Sequence, residues 1–215
     1  MKIVLFGATG NVGQRVMSEA LRRGHEVVGI VRDPAVVQQT GMPATFTSGD
    51  ATDSESVAHA ARGADAIVSA ISPRPNAQGL AAPSLVDAAR ALIAGAKKAG
   101  VKRLVVVGGA GSLEAGGQRI VDRADFPDAY KAEALAQSDA LKIYRNEAAD
   151  LDWTYLSPAA EIHSGERTGK YRTTDDELLT DSSGKSTITF EDYAAALIDE
   201  LERPQHLRKR FGVAY

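Results

Sequence analysis

The stretch Gly7-Ala8-Thr9-Gly10-Asn11-Val12-Gly13 decides the fold of this chain, because of the segments on either side of it. Before it, residues Lys2 to Phe6 form a short run of β-formers that is too brief for a helix. After it, residues Asn11 to Arg23 carry apolar residues at helical spacing, namely Val12, Val16 and Leu21. The sequence therefore predicts a strand, a glycine-rich turn and a helix, in that order.

A glycine-rich turn in this position is typical of a site that binds the pyrophosphate of a dinucleotide. Glycines allow a tight turn and a close approach to the ligand, and the first amides of the following helix donate to the phosphates. The alternative is a glycine turn in an α/β protein that holds no ligand. We expect the cofactor to contact Gly7, Thr9, Gly10, Asn11, Val12 and Gly13.

Apolar runs and helical patterns alternate along the first two thirds of the chain, as a parallel sheet with crossover helices requires. After the first strand, buried parallel strands are predicted at residues 26–31, 44–47, 64–70, 102–107 and 151–156. The predicted fold class is α/β, a Rossmann-type doubly wound parallel sheet in one domain over residues 1–215.

Further helices are predicted from local signals. Thr52 to Glu55 has the spacing of a capping box, so a helix should run from there to about Arg62. Pro83 suits the first turn of a long helix that ends near Gly100. An alanine-rich helix is predicted over residues 130–149.

The pattern changes after Pro158, where glycines, threonines and charges run to Gly184. A strand over residues 186–189 and a helix over residues 190–201 follow. The segment is too short and too polar to form its own core. We expect residues 157–190 to form a small C-terminal substrate lobe over the carboxyl edge of the sheet.

The composition narrows the range of partners. The chain of 215 residues has a formal charge of -3 and no cysteine, so it contains neither disulfides nor thiolate metal sites. Nothing in the charge favours nucleic acid or an anionic membrane, and no His, Asp and Glu cluster has the spacing of metal ligands. The N-terminal apolar run is too short for a signal sequence or a membrane span. We expect a soluble cytoplasmic protein without a metal.

Arg32 follows the second predicted strand, where NAD-binding sites usually place a carboxylate for the adenosine ribose. A guanidinium there can pair with the 2′-phosphate, which favours NADP(H) over NAD(H). Asp33 is an alternative ribose ligand or the start of the next helix, and NAD(H) stays possible. The alternative interpretation of Arg32 is a solvated surface arginine that does not contact the cofactor.

The ends of the other predicted strands should meet the cofactor at the same edge of the sheet. The third strand ends near Asp50, which is either a cofactor contact or an ordinary loop residue. The fourth strand ends beside the expected ribose and nicotinamide. The sixth strand ends at the expected nicotinamide carboxamide. These candidate cofactor contacts are Asp50 and Ala51, then Ser69, Ala70 and Ile71, then Ser157, Pro158 and Ala159.

The spacing G-x-x-G-x-x-G resembles the extended and atypical branches of the short-chain dehydrogenase/reductase superfamily. Two further blocks, residues 107–113 (VGGAGSL) and 151–159 (LDWTYLSPA), are similar to a narrower group within it, the NADH-flavin reductases akin to biliverdin reductase B. Similar stretches cover nearly the whole chain. The resemblance implies a monomeric or dimeric Rossmann protein with a nicotinamide cofactor, Gly108 and Gly109 among its contacts, and electron delivery to a flavin or similar planar acceptor.

One departure from the superfamily concerns the proton donor. Its dehydrogenases carry Tyr-x-x-x-Lys, in which the lysine lowers the pKa of the tyrosine. Tyr130 begins a predicted helix here, but Ala134 stands four residues later and Lys131 points about 100° away. Flavin reduction fits this absence, since hydride passes between stacked rings and water can supply the proton. Tyr130 and Ser112 are the candidate catalytic residues, although Ser112 is equally a loop-stabilising serine.

Three functions therefore compete. The first is an NADPH-dependent reductase of flavins or quinones. The second is a dinucleotide sensor like the NmrA-like proteins, which binds NADP(H) without turnover. The third is an isomerase or carbonyl reductase with an unrecognised acid. We interpret Trp153 and Tyr155 as core residues. For His163 a surface position is favoured over a catalytic role, and the basic cluster 203–210 is interpreted as solvated.

Overall fold

The computed structural model describes residues 1–33, 37, 44–74 and 83–215, and its strands and helices alternate along the chain. The strands are β1 (Lys2–Phe6), β2 (Glu26–Val31), β3 (Thr45–Ser48), β4 (Ala66–Ser69), β5 (Arg103–Val107), β6 (Glu114–Ala115), β7 (Gln118–Arg119), β8 (Asp152–Ser157), β9 (Glu161–His163), β10 (Arg172–Thr174), β11 (Thr187–Thr189) and β12 (Lys209–Ala214). The helices are α1 (Asn11–Arg22), α2 (Ser54–Ala61), α3 (Leu85–Ala99), α4 (Asp128–Glu147) and α5 (Phe190–Glu202).

The central sheet confirms the predicted fold class. Among the described residues it has eight strands in the order β10-β12-β8-β5-β4-β1-β2-β3, and every pair is parallel except β10 with β12. Strand β1 lies between β2 and β4, so the direction of winding reverses there, and this is where doubly wound sheets bind ligands. All the parallel strands end at one edge, which is the carboxyl edge.

Hydrophobic residues fill both faces of the sheet. One layer, built on Ile3 and Leu5, packs against α1 and α5, and the other, built on Val4 and Phe6, packs against α2, α3 and α4. The predicted core positions Trp153 and Tyr155 are both buried in the second layer, which confirms their interpretation.

Three local predictions were wrong. Helix α2 is capped by Asp53, whose carboxylate accepts a hydrogen bond from the amide of Glu55. Thr52 does not cap the helix, because its hydroxyl donates to the carboxylate of Asp50. Helix α3 begins at Leu85 with Ser84 as its N-cap, so Pro83 precedes the helix and does not lie in its first turn. Strand β3 is mostly exposed because it forms the edge of the sheet, so it is not a buried strand.

The prediction of a solvated basic cluster was wrong for one member. Arg210 is 5% exposed, and its guanidinium Nε lies 2.8 Å from Oδ1 of Asp176. Arg210 is buried because it lies on β12, which pairs with β8 and extends the central sheet. The C-terminal end of the basic cluster is therefore paired with the loop that contains Asp176.

Residues 157–190 contact both the sheet and the helices. Strand β9 pairs with β11, and β10 extends the edge of the central sheet. Arg167 then binds the carboxylate of Glu19 on α1 at 2.8 Å, and Gly169 donates to Asp192 on α5 at 2.6 Å. The segment is therefore fastened to the outer helices, and its role as a cover over the cofactor stays a prediction.

Candidate functional site

The glycine turn lies directly against the end of β4. Gly7 has a φ of +77°, a backbone conformation that favours glycine, and a Cβ added there would stand 2.4 Å from the carbonyl oxygen of Ala70. The amide of Ala70 in turn donates to the carbonyl of Phe6 at 2.9 Å. Glycine at position 7 therefore lets the turn after β1 pass close to the end of β4.

Helix α1 packs equally tightly on this turn. A Cβ added at Gly13 would stand 2.1 Å from the carbonyl oxygen of Gly7, so a side chain at position 13 would push the helix away from the strand. The turn is also held from within, by the bond from the amide of Gly10 to Gly7 at 3.1 Å and by the side chain of Gln14, which donates to the carbonyl of Thr9 at 2.8 Å.

The first turn of α1 presents unpaired donors. Gly10 caps the helix without any side chain, and no acceptor among the described residues bonds to the amides of Asn11, Val12 or Gly13. A Cβ at Gly10 would meet nothing closer than Gly7 oxygen at 3.4 Å, so this side of the turn is open. Free amides at the positive end of a helix, in front of open space, form an anion site.

The strand ends beside the turn hold the adenosine-side candidates. Arg32 directly follows β2 and is exposed. Asp50 follows β3, and its Oδ1 accepts from the amide of Thr52 at 2.8 Å and from its hydroxyl at 2.7 Å. That oxygen of Asp50 is therefore committed to its own loop, whereas Ala51 beside it is half-buried.

The ends of β5 and β8 fit together through Gly108. A Cβ there would stand 2.1 Å from the ring of Tyr155, and the amide of Gly108 donates to the carbonyl of Leu156 at 2.8 Å. Ser157 is fully buried, and its hydroxyl has no hydrogen-bond partner among the described residues. Pro158 and Ala159 follow it and are buried too, so the chain is closely packed where it leaves the sheet.

Ser112 lies away from open space. It is 7% exposed, in the short turn after β5, and its hydroxyl accepts from the guanidinium of Arg210 at 3.3 Å. The contact joins Ser112 to Arg210, whose guanidinium also pairs with the exposed carboxylate of Asp176. Its catalytic role stays a prediction.

Tyr130 lies in the first turn of α4. Its side chain is 54% exposed, and the guanidinium of Arg74 stands 5.7 Å from its ring centre. Arg74 also donates to Glu133 on the same helix, at 2.6 Å. Tyr130 is thus exposed on α4, whereas Ser112 is buried in the short turn after β5, which packs against the same helix at Ala134.

A cleft of about 510 Å³ opens between the N-terminal ends of α3 and α4, next to the residues that follow β4. Arg74, Glu133 and Asp139 supply charged groups to it. Its volume is within the range of small-molecule sites. Beneath it, α3 and α4 pack together over the second hydrophobic layer.

Buried tyrosines under the edge are weak acids. Burial raises the pKa of Tyr155 well above its usual value of about 10, and burial likewise raises the pKa of Tyr144. Neither phenol can therefore act as an easily ionised acid in the way that a lysine-assisted tyrosine does. No group of three or more metal-ligating residues occurs in the ranges that the structure describes, and none of their helices is long and apolar enough to cross a membrane.

Gln137, for which the sequence predicts no role, lies beneath the loop after β5. Its side chain is 8% exposed, and a Cβ added at Gly109 would approach Gln137 to 3.1 Å. Its place on α4, three residues after Ala134, does not distinguish it from a core residue.

The chain belongs to the NAD(P)H-binding family, whose model matches residues 7–204. The matched residues include the glycine turn and the carboxyl ends of β2, β3, β4, β5 and β8. The family therefore establishes binding of a nicotinamide dinucleotide as the class of activity.

Three solved structures share the whole fold. A protein from Burkholderia pseudomallei proposed to be exported is 46% identical, with a TM-score of 0.89 and all of both chains covered. A proposed epimerase from Bacteroides thetaiotaomicron is 39% identical, with a TM-score of 0.87, over 100% of this chain and 96% of that one. A proposed NADH-flavin reductase from Streptococcus pneumoniae TIGR4 is 32% identical, with a TM-score of 0.84, over 100% and 99%. The three structures agree on the fold, and the names of the last two give different activities.

Proposed function

We propose that this protein is an NAD(P)H-dependent oxidoreductase that reduces a flavin or a similar planar acceptor by direct hydride transfer. The observation that carries the proposal is the first turn of α1, which has no side-chain cap and whose three free amides follow a glycine turn at the reversal point of the sheet. The proposed NADH-flavin reductase from Streptococcus pneumoniae supports the acceptor class.

The residues present fit the cofactor. The amides of Asn11, Val12 and Gly13 would hold the pyrophosphate, Arg32 would meet the adenosine ribose or its 2′-phosphate, and Ser69 to Ile71 would follow the chain of the dinucleotide toward β5. When bound, the nicotinamide supplies a hydride to the acceptor. The protein supplies orientation and a packed floor, made by Gly108 and the buried ring of Tyr155.

A planar acceptor fits this chain because none of Tyr130, Tyr144 and Tyr155 has the features of a strong proton donor. Tyr130 is exposed beside Arg74 and lacks a lysine one helical turn later, while Tyr144 and Tyr155 have raised pKa values. Reduction of a carbonyl needs an acid at the oxygen, whereas a stacked ring system can take its proton from water. The cleft between α3 and α4 is the space we assign to the acceptor.

Turnover tests the proposal directly. Oxidation of NADPH or NADH, followed at 340 nm, should accelerate when FMN, riboflavin or a quinone is added to the protein. Tight cofactor binding without turnover of any such acceptor would favour the sensor, and turnover confined to aldehydes or ketones would favour the carbonyl reductase.

Arg32→Ala tests which cofactor is preferred. We expect wild-type protein to bind NADPH more tightly than NADH, because a charge-assisted contact with the 2′-phosphate contributes about 1.5–3 kcal/mol. The variant should bind both cofactors with similar affinity in calorimetry. Equal affinities in the wild type, or an unchanged ratio in the variant, would contradict the role of Arg32.

Tyr130→Phe tests the mechanism. If water supplies the proton, turnover should fall by less than about tenfold, which corresponds to about 1.4 kcal/mol of barrier. General acid catalysis contributes about a hundredfold or more, so a steady-state assay separates the two cases. A hundredfold loss would identify Tyr130 as an acid and support carbonyl reduction.

A further inference from the structure

The cleft of about 510 Å³ between α3 and α4 is lined largely by small and apolar side chains. On α4 three alanines recur every three or four residues, so they share one face of the helix. The small and apolar lining residues include Ala129, Ala132 and Ala136 on α4, Pro73 after β4, and Pro83 and Val86 at the start of α3. Ligand sites combine such a lining with a few polar groups that set the specificity. The polar groups of this cleft should therefore decide which molecules it accepts.

Arg74 is the one cation among the described residues that line the cleft, and it is already paired. Its Nε donates to Oε2 of Glu133 at 2.6 Å, and its Nη2 lies 2.5 Å from the same oxygen. The guanidinium also stands 5.7 Å from the ring centre of Tyr130. Groups on α4 therefore compensate the charge of Arg74 before any ligand enters the cleft.

A second carboxylate makes the cleft less suited to an anion. Asp139 lines the same space as Glu133, and Lys142, which pairs with Asp139 at 2.8 Å, is not among the described lining residues. The described lining thus carries two carboxylates and one guanidinium. A phosphate or carboxylate group in the cleft would lose water without gaining an uncompensated cation, and it would stand near two like charges. An uncharged molecule meets neither cost.

We propose that the pair formed by Arg74 and Glu133 makes this cleft select planar acceptors that carry no negative charge. The inference rests on the proposed function, because it takes the cleft as the place of the acceptor. Two flavins separate the cases, since riboflavin and FMN share one ring system and differ by a phosphate with a charge of about -2 near neutral pH. Riboflavin and uncharged quinones are the class of acceptor that the pair favours, and FMN is the class that it disfavours.

Glu133→Gln tests the inference because it turns the paired arginine into an available one. We compare kcat/KM for riboflavin and for FMN at saturating NADPH, so that an effect on the cofactor or on the shared ring chemistry cancels in the ratio. In the wild type, riboflavin should have the higher value, by about two- to fivefold. In Glu133→Gln the ratio of FMN to riboflavin should rise by about two- to fivefold, because the guanidinium of Arg74 gains the phosphate as a partner.

Glu147→Gln is the matched control. Glu147 on α4 pairs with Arg90 on α3 at 3.0 Å, and both side chains are exposed to an extent similar to Arg74 and Glu133, but neither lines the cleft. The ratio of the two flavins should therefore stay at its wild-type value in this variant. Because all four side chains are partly exposed, the thermal midpoint should also be maintained in both variants.

Arg74→Ala should move the ratio in the opposite direction, because it leaves the carboxylate of Glu133 uncompensated. Combining Arg74→Ala with Glu133→Gln should return the ratio to near the wild-type value, since the two side chains act as a pair.

The outcomes separate the inference from the proposed function. A wild-type preference for FMN, or equal ratios in Glu133→Gln and Glu147→Gln, would overturn the role of the pair and leave the reductase standing. Absence of turnover with riboflavin, FMN and quinones alike would contradict the reductase itself, and the inference with it. Opposite shifts in Glu133→Gln and Arg74→Ala, with no shift in Glu147→Gln, would support both.

Discussion

Gly10→Val is expected to abolish binding of NAD(P)H while leaving the protein folded. Gly10 has a φ of -74°, which any residue adopts, and an added Cβ would meet only the carbonyl oxygen of Gly7, at 3.4 Å. A branched side chain would therefore project into the space in front of the free amides, where the pyrophosphate is expected. Affinity in calorimetry should fall more than about a hundredfold, or about 2.7 kcal/mol.

Gly13→Ala is the contrasting variant. Its Cβ would stand 2.1 Å from the carbonyl oxygen of Gly7, so it should displace α1 and lower the thermal midpoint as well as the affinity. Gly63→Ala is the surface control, since a Cβ there meets nothing within 4 Å, although its positive φ adds some strain. Native circular dichroism with unchanged cofactor affinity in Gly10→Val would place the cofactor elsewhere on the molecule.

The glycine turn and the parallel strands could be predicted because their signals are local. A run such as Lys2–Phe6 followed by three spaced glycines has one simple structural solution, and the predicted strand at 26–31 matches β2 at both ends. The residue that caps a helix is harder to predict, since Thr52, Asp53 and Ser54 are all residue types that commonly cap helices. The choice depends on which side chain is used elsewhere, and Asp50 takes the hydroxyl of Thr52.

The rest of the site depends on contacts between distant segments. Ser112 looked like a hydroxyl at a strand end, but it lies against Arg210, which stands 98 residues later. By sequence, Gln137 is one more polar residue on a helix. In the structure its side-chain oxygen accepts a hydrogen bond from the hydroxyl of Tyr155, 18 residues away. Neither pairing has a sequence period or a motif, so only the folded chain reveals which polar groups are paired and which are free.

Glu19→Ala should destabilise the protein more than any other change to a charged residue on α1. Glu19 is 4% exposed, and its carboxylate accepts from three arginines: Arg22, Arg23 and Arg167. Removing one member of a buried ion pair typically costs about 3–5 kcal/mol, and we expect the lower value because Arg23 keeps Asp199 and Glu202.

A loss of about 3 kcal/mol should lower the thermal midpoint by about 10 °C in a chain of this size. Glu202→Gln is the matched control, because it also removes a carboxylate from Arg23 but at a position that is 30% exposed. Exposed pairs contribute about 1 kcal/mol or less. Equal shifts for the two variants would show that the buried position of Glu19 carries no particular weight.

The same carboxylate should make stability depend on pH in the acid range. Burial raises the pKa of Glu19, but the hydrogen bonds from Arg22, Arg167 and Arg23 outweigh it and hold the pKa well below its usual range. The unfolded chain therefore binds a proton first, near pH 4.3, so the contribution of Glu19 is complete above about pH 5 and is lost as the pH falls below that value. The difference in unfolding free energy between the wild type and Glu19→Gln should be constant from pH 6 to 8 and should narrow below pH 4. A difference as large at pH 3 as at pH 7 would show that the charge of Glu19 is not what fastens residues 164–169 to α1.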